Sequence, residues 1–61
     1  MPIIQVQVLE GRSDEQLKDL VAGITKTAVE TLEVKPEQVR VIVQPIPHKY
    51  WGVAGITKES D

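Results

Sequence analysis

The sequence predicts an α+β fold: a βαβ unit with parallel strands and a right-handed crossover, then a C-terminal β-hairpin, with sheets packing together in an oligomer. Three observations predict it. Two short segments, Ile3–Leu9 and Val39–Gln44, alternate their side chains with the period of a strand. Between them, apolar residues recur every three or four positions, as on one face of a helix. The whole chain is only 61 residues, 41% hydrophobic and without cysteine.

In the first strand Ile4, Val6 and Val8 share one face, while Ile3, Gln5, Gln7 and Leu9 make a mixed one. Glu10-Gly11-Arg12 is a turn in which the glycine takes a positive φ without penalty. Ser13 reads as a helix N-cap, with Gln16 completing a capping box. Asp14 and Glu15 put negative charge where the helix dipole favours it. Leu17, Leu20, Val21, Ile24, Ala28 and Leu32 form the apolar stripe, and Lys18, Asp19, Lys26 and Glu30 fall off it. Gly23 is read as a tolerated surface glycine, and the helix is expected to end near Glu33.

A short connector follows, with a tight turn beginning at Pro36. In the second strand Val39, Val41 and Val43 join the helix face, opposite Arg40, Ile42 and Gln44. A strand, a long helix and a strand in that order imply a parallel pair with a right-handed crossover. Pro45 and Pro47 are expected to stop the strand. The remainder from His48 to Thr57 suggests a hairpin that docks on a neighbouring subunit, and Lys58 to Asp61 a frayed tail.

Size bounds the answer to one domain spanning residues 1–61. Domains this small usually need disulfides, a metal or association. With no cysteine and one histidine, association is what remains, so a homo-oligomer is the first functional expectation. A net charge of −2 argues against nucleic acid as a partner. No run approaches the ~20 apolar residues of a membrane span, and a signal-peptide pattern is not seen. A cytoplasmic location is expected.

Pro2 is the first candidate for chemistry. Behind Met1 its nitrogen is an amide without basicity; after removal of Met1 it becomes a rigid secondary amine. An α-amino group titrates near ~7.7–8.0, and nearby cations or a dry pocket lower that value. Such a base suits proton abstraction, although Met-Pro alone is a common start. Arg12 leaves the first strand, and Arg40 interrupts the valine-rich second one. Guanidinium groups clamp carboxylates and stay charged, so the pair suits a small anionic carboxylate substrate. Trp51, the one tryptophan, reads as interface packing or as an apolar wall. His48 reads as a surface residue without a partner, and Glu10 and Lys35 as solvated charges. Neither metal-ligand spacing nor a phosphate loop is present.

Taken together, Pro2, the L-E-G-R-S-D-E-Q block from Leu9 to Gln16, V-R-V-I at Val39 to Ile42 and the aromatic-Gly-x-x-Gly run at Trp51 to Gly55 resemble the 4-oxalocrotonate tautomerase family. The resemblance covers nearly the whole chain. It implies a hexamer, a trimer of dimers, and a cofactor-free isomerase that interconverts keto and enol forms of compounds such as 2-hydroxymuconate. By the resemblance, Pro2 is the general base and Arg12 binds the distal carboxylate. Arg40 of a neighbouring subunit binds the 1-carboxylate and 2-oxygen region, and Trp51 supplies a hydrophobic wall. Trp51 stands where the best-known members have phenylalanine, and Ala54-Gly55 where they have paired glycines, which leaves the substrate open. The resemblance also admits a hydratase-type dehalogenase or a decarboxylase of the same superfamily. A non-catalytic oligomeric binding domain is the alternative of a different class.

Overall fold

The computed structural model describes residues 1–59. It contains β1 (Ile3–Leu9), α1 (Asp14–Leu32), β2 (Arg40–Ile46), β3 (Gly52–Val53) and β4 (Ile56–Thr57), with one-turn 3₁₀ helices at Pro36–Gln38 and His48–Tyr50. β1 and β2 pair in parallel, from Ile3 opposite Arg40 to Leu9 opposite Ile46. β3 and β4 pair antiparallel as the expected hairpin.

The helix begins as its capping residues require. The Ser13 hydroxyl accepts from Gln16 N–H, and the Gln16 amide oxygen accepts from Ser13 N–H, both at 3.1 Å. It ends with Glu33 in the left-handed region at φ 55°. Along the stripe, Leu17, Leu20, Val21 and Ile24 are half-buried and Ala28 is buried. Leu32 departs from the expectation: it is 55% exposed, lining the open groove beside α1 together with Ile4 and Ala28. Thr25 supplements the stripe by turning its hydroxyl back onto the Val21 carbonyl at 2.8 Å. That bond satisfies the only polar atom of its side chain.

The second strand runs further than the prolines imply. Pro45 lies inside β2, opposite Val8, and the strand continues through Ile46. The ladder explains why. Arg40 N–H donates to Pro2 and Ile46 C=O accepts from Glu10 N–H, so the even-numbered residues of β2 bond β1. Pro45 is odd-numbered, and its missing N–H faces the free edge, where a proline costs no ladder bond. At the other end Val39 belongs to the preceding turn, its N–H donating to Pro36 C=O at 3.1 Å.

The hairpin narrows to residues 52–57, and its two central residues, Ala54 and Gly55, both have positive φ, 54° and 83°. Two positive values in a two-residue loop match the turn whose twist suits a hairpin. Lys58 is not frayed: its N–H donates to Trp51 C=O at 3.0 Å. Ser60 and Asp61 of the expected tail lie outside the described residues.

The helix covers one face of the sheet only. Ile4, Val6, Val8, Val41 and Val43 are half-buried beneath it, whereas Ile3, Gln5, Gln7, Arg40, Ile42 and Gln44 are exposed. The resulting plate measures 42 × 24 × 13 Å, with a radius of gyration of 14.3 Å. A compact domain of this length has a radius near ~10.5 Å. Among the described hydrophobic residues only Ala28 and Val39 are buried, while Ile3 and Ile42 are 63% and 51% exposed on the bare face. Among the described residues, a plate this thin buries only those two side chains. Among the described residues, no helix is long and apolar enough to cross a membrane.

Two outcomes follow from this architecture. Ser13→Ala should lower stability by about 1 kcal/mol, the usual cost of losing an N-cap, read as a reduced urea midpoint at fixed protein concentration. If the bare face is buried between copies of this chain, Ile42→Glu should sediment as smaller species than the unsubstituted chain in analytical ultracentrifugation. An unchanged sedimentation profile would show that the bare face is open to water.

Candidate active site

The ladder register places the candidate residues at two ends of the sheet. Pro2, half-buried, precedes β1, and its carbonyl accepts from Arg40 N–H at 3.0 Å. Pro2 and Arg40 are therefore neighbours in one chain. The Arg40 guanidinium, however, turns towards the preceding loop. Its Nη1 donates to Glu37 C=O at 2.6 Å, with a longer bond of 3.5 Å to Val39 C=O. Met1, which caps the Pro2 nitrogen as an amide, is 76% exposed.

Arg12 and Trp51 lie beyond the opposite end. β1 has seven residues, which at ~3.3 Å per residue separates Pro2 from the Arg12 turn by more than about 20 Å. Arg12 is exposed and has no hydrogen-bond or ion-pair partner among the described residues. Gly11 before it has φ 123°, a conformation open to glycine and strained for other residues. Trp51 is half-buried, and its backbone is held on both sides. Its N–H donates to His48 C=O at 3.1 Å, and its C=O accepts from Lys58 N–H.

One chain thus brings Pro2 beside the backbone of Arg40 at one end of the sheet and leaves Arg12 at the other, where Glu10 meets His48 three residues before Trp51. It does not enclose them. Grooves of about 660, 350 and 330 Å³ run along the two flanks of α1 and over the bare sheet face, and none is lined by Pro2, Arg12, Arg40 or Trp51. Among the described residues, no group of three or more His, Cys, Asp or Glu could hold a metal ion.

Sequence reasoning missed one contact. Glu10 and His48, read as a solvated charge and a partnerless surface residue, meet through Oε1 and Nδ1 at 3.4 Å. An ionised carboxylate only accepts, so Nδ1 is the donor. The signal was in the register: once Leu9 faces Ile46, Glu10 reaches the loop that follows β2. Lys35 also has a fixed backbone, its N–H donating to Gln38 Oε1 at 3.0 Å.

Comparison with known proteins agrees with this geometry. The family model described as "Tautomerase enzyme" matches residues 2–60. A protein named "Probable tautomerase" from Ralstonia nicotianae is 47% identical over 60 residues, covering 98% of this chain and 86% of its own. Among solved structures, one of the 4-oxalocrotonate tautomerase isozymes from Methylibium petroleiphilum is 46% identical with a TM-score of 0.89, over 93% of this chain and 89% of that one. A heterohexamer 4-oxalocrotonate tautomerase from Chloroflexus aurantiacus is 34% identical with a TM-score of 0.89, over 95% and 94% of the two chains. The parallel βαβ unit, the hairpin and the extent of these matches lead to one conclusion: the chain belongs to the tautomerase family.

Proposed function

We propose that this chain is a cofactor-independent 1,3-keto–enol tautomerase of small conjugated 2-hydroxy or 2-oxo acids resembling 2-hydroxymuconate, with Pro2 as general base once Met1 is removed. The observation that carries the reading is the position of Pro2: it stands at the mouth of β1, bonded through its carbonyl to the backbone of Arg40, in a chain of this family. The exposure of Met1 supports its accessibility to an aminopeptidase.

In this reading the free Pro2 nitrogen takes the proton from the 2-hydroxyl of the dienol. As that O–H bond breaks, the C–O bond becomes a carbonyl and the electron pair moves out along the conjugated chain. Pro2 then returns the proton to carbon, forming the new C–H bond. The base is regenerated, and no electron leaves the substrate. The amine must be neutral to begin, and two guanidinium groups and an apolar wall each favour its neutral form. Arg12 binds the distal carboxylate and draws electron density towards it. Arg40 binds the 1-carboxylate and 2-oxygen region, and Trp51 closes the pocket.

The geometry of one chain supports assembly as part of the mechanism. Pro2 and Arg12 are too far apart for a single small substrate, so Arg12 comes from a neighbouring subunit. The guanidinium of Arg40 is held by the Glu37 carbonyl, and it is the backbone N–H of Arg40 that bonds Pro2. This supports a role for it, too, at a neighbour's site. The Chloroflexus relative, a heterohexamer, supports six chains as the form in which one domain of residues 1–61 acts, and we take these as identical copies arranged as a trimer of dimers. A cytoplasmic location and a small anionic substrate, rather than nucleic acid or membrane, belong to the same proposal. Glu10, the carboxylate that hydratase chemistry would draw on, is engaged by His48, which favours tautomerisation.

Intact mass should show the purified chain lacking its methionine, and ultraviolet absorbance should follow ketonisation of 2-hydroxymuconate. Pro2→Ala should lower kcat/KM by ~10²–10⁴, the usual worth of general acid–base catalysis. Full activity in that variant would sink the reading. Halide release from 3-chloroacrylate without ketonisation would move the chain to the dehalogenases.

A further inference from the structure

We propose that His48 is a positioning residue for Arg12, holding the carboxylate of Glu10 so that the Arg12 turn is both fixed and left free to bind a substrate's distal carboxylate. The inference rests on the role proposed above for Arg12.

His48 makes two connections. Its carbonyl accepts from Trp51 N–H at 3.1 Å, and its ring Nδ1 bonds Glu10 Oε1 at 3.4 Å. It therefore joins the segment that carries Trp51 to the residue two places before Arg12. The ladder stops at the same place. Glu10 N–H to Ile46 C=O, 2.9 Å, is the last backbone bond before Gly11, whose φ of 123° gives the chain a pivot. Past that pivot, the Glu10 side chain is the nearest anchor N-terminal to Arg12, and the Ser13 cap is the anchor on the other side.

The second consequence is electrostatic. Glu10 and Arg12 are two residues apart, with opposite charges and a flexible glycine between them. A loose carboxylate there would compete with any anionic substrate for the guanidinium. Bound to His48 it does not, and Arg12 has no partner among the described residues. The side chains of Glu10 and His48 are 49% and 26% exposed, so the effect is that of one solvent-screened pair. Its scale is modest: about two- to five-fold in affinity.

Muconate and sorbate separate this role from a general structural one. Both are conjugated dienoates without the 2-hydroxyl, and only muconate has a distal carboxylate. In the Met1-processed protein, His48→Ala should weaken muconate binding by about two- to five-fold and leave sorbate unchanged, by calorimetry or competition. With 2-hydroxymuconate the loss should fall on KM rather than kcat, and with phenylenolpyruvate neither should move. His48→Gln, whose amide donates to Glu10, should restore binding. Equal loss for both acids, no loss for muconate, or no muconate binding in the unsubstituted protein would overturn the proposal. The binding comparison needs no turnover, so it decides the role of His48 even where ketonisation is absent. Absent turnover, by contrast, counts against the tautomerase reading alone.

Discussion

The parallel register of β1 on β2 is the constraint from which the rest of the structure follows. Pairing Ile3 with Arg40 and Leu9 with Ile46 decides which side chains meet the helix and which candidate residues share an end. A shift of one residue would turn Ile4, Val6 and Val8 away from α1 and expose their methyl groups. It would also part Pro2 from Arg40 and Glu10 from His48. Fold and candidate chemistry thus depend on one set of hydrogen bonds. The crossover helix makes that set possible, because parallel strands cannot be joined by a tight turn.

The register also accounts for the need to associate. One helix can cover one face of two strands. The opposite face carries Ile3 and Ile42 beside a glutamine pair, Gln7 Nε2 donating to Gln44 Oε1 at 3.1 Å. That face mixes apolar area with two side-chain amides that share one hydrogen bond. Such a surface loses less on burial than one of unpaired polar groups. The hairpin has the same character, with Val53 and Ile56 at 64% and 74% exposure. Both features suit a subunit whose core is completed by others. Under the proposed function, the separation of Pro2 from Arg12 would give such an assembly a chemical purpose as well as an energetic one.

Much of this was legible in the residues, for physical reasons that differ by element. Ser13 and Gln16 identify the helix start because a capping box is local chemistry. Ile4, Val6, Val8, Val41 and Val43 identify the covered face because burial follows the pleat. Pro45 reads as a strand stop but is not one, because a proline's cost depends on which way its nitrogen points, and the hydrogen-bonding parity of β2 appears only once the strands are paired. Leu32 reads as core because a helical stripe does not reveal how far each turn is covered. The Glu10–His48 contact was invisible for a similar reason, since it joins residues 38 apart through the register. The resemblance to the family supplied roles for Pro2, Arg12, Arg40 and Trp51 that no single chain assembles.

The central claim is that the site is built from more than one subunit, with Pro2 from one chain and Arg12 from another. Subunit mixing tests it most directly. Pro2→Ala and Arg12→Ala proteins, each of low activity, would be unfolded together, refolded together and assayed on 2-hydroxymuconate. A shared site predicts that mixed assemblies regain activity, because some sites receive an intact Pro2 from one chain and an intact Arg12 from the other. Activity no higher than the average of the two separate variants, in assemblies shown by mass spectrometry to be mixed, would contradict the account.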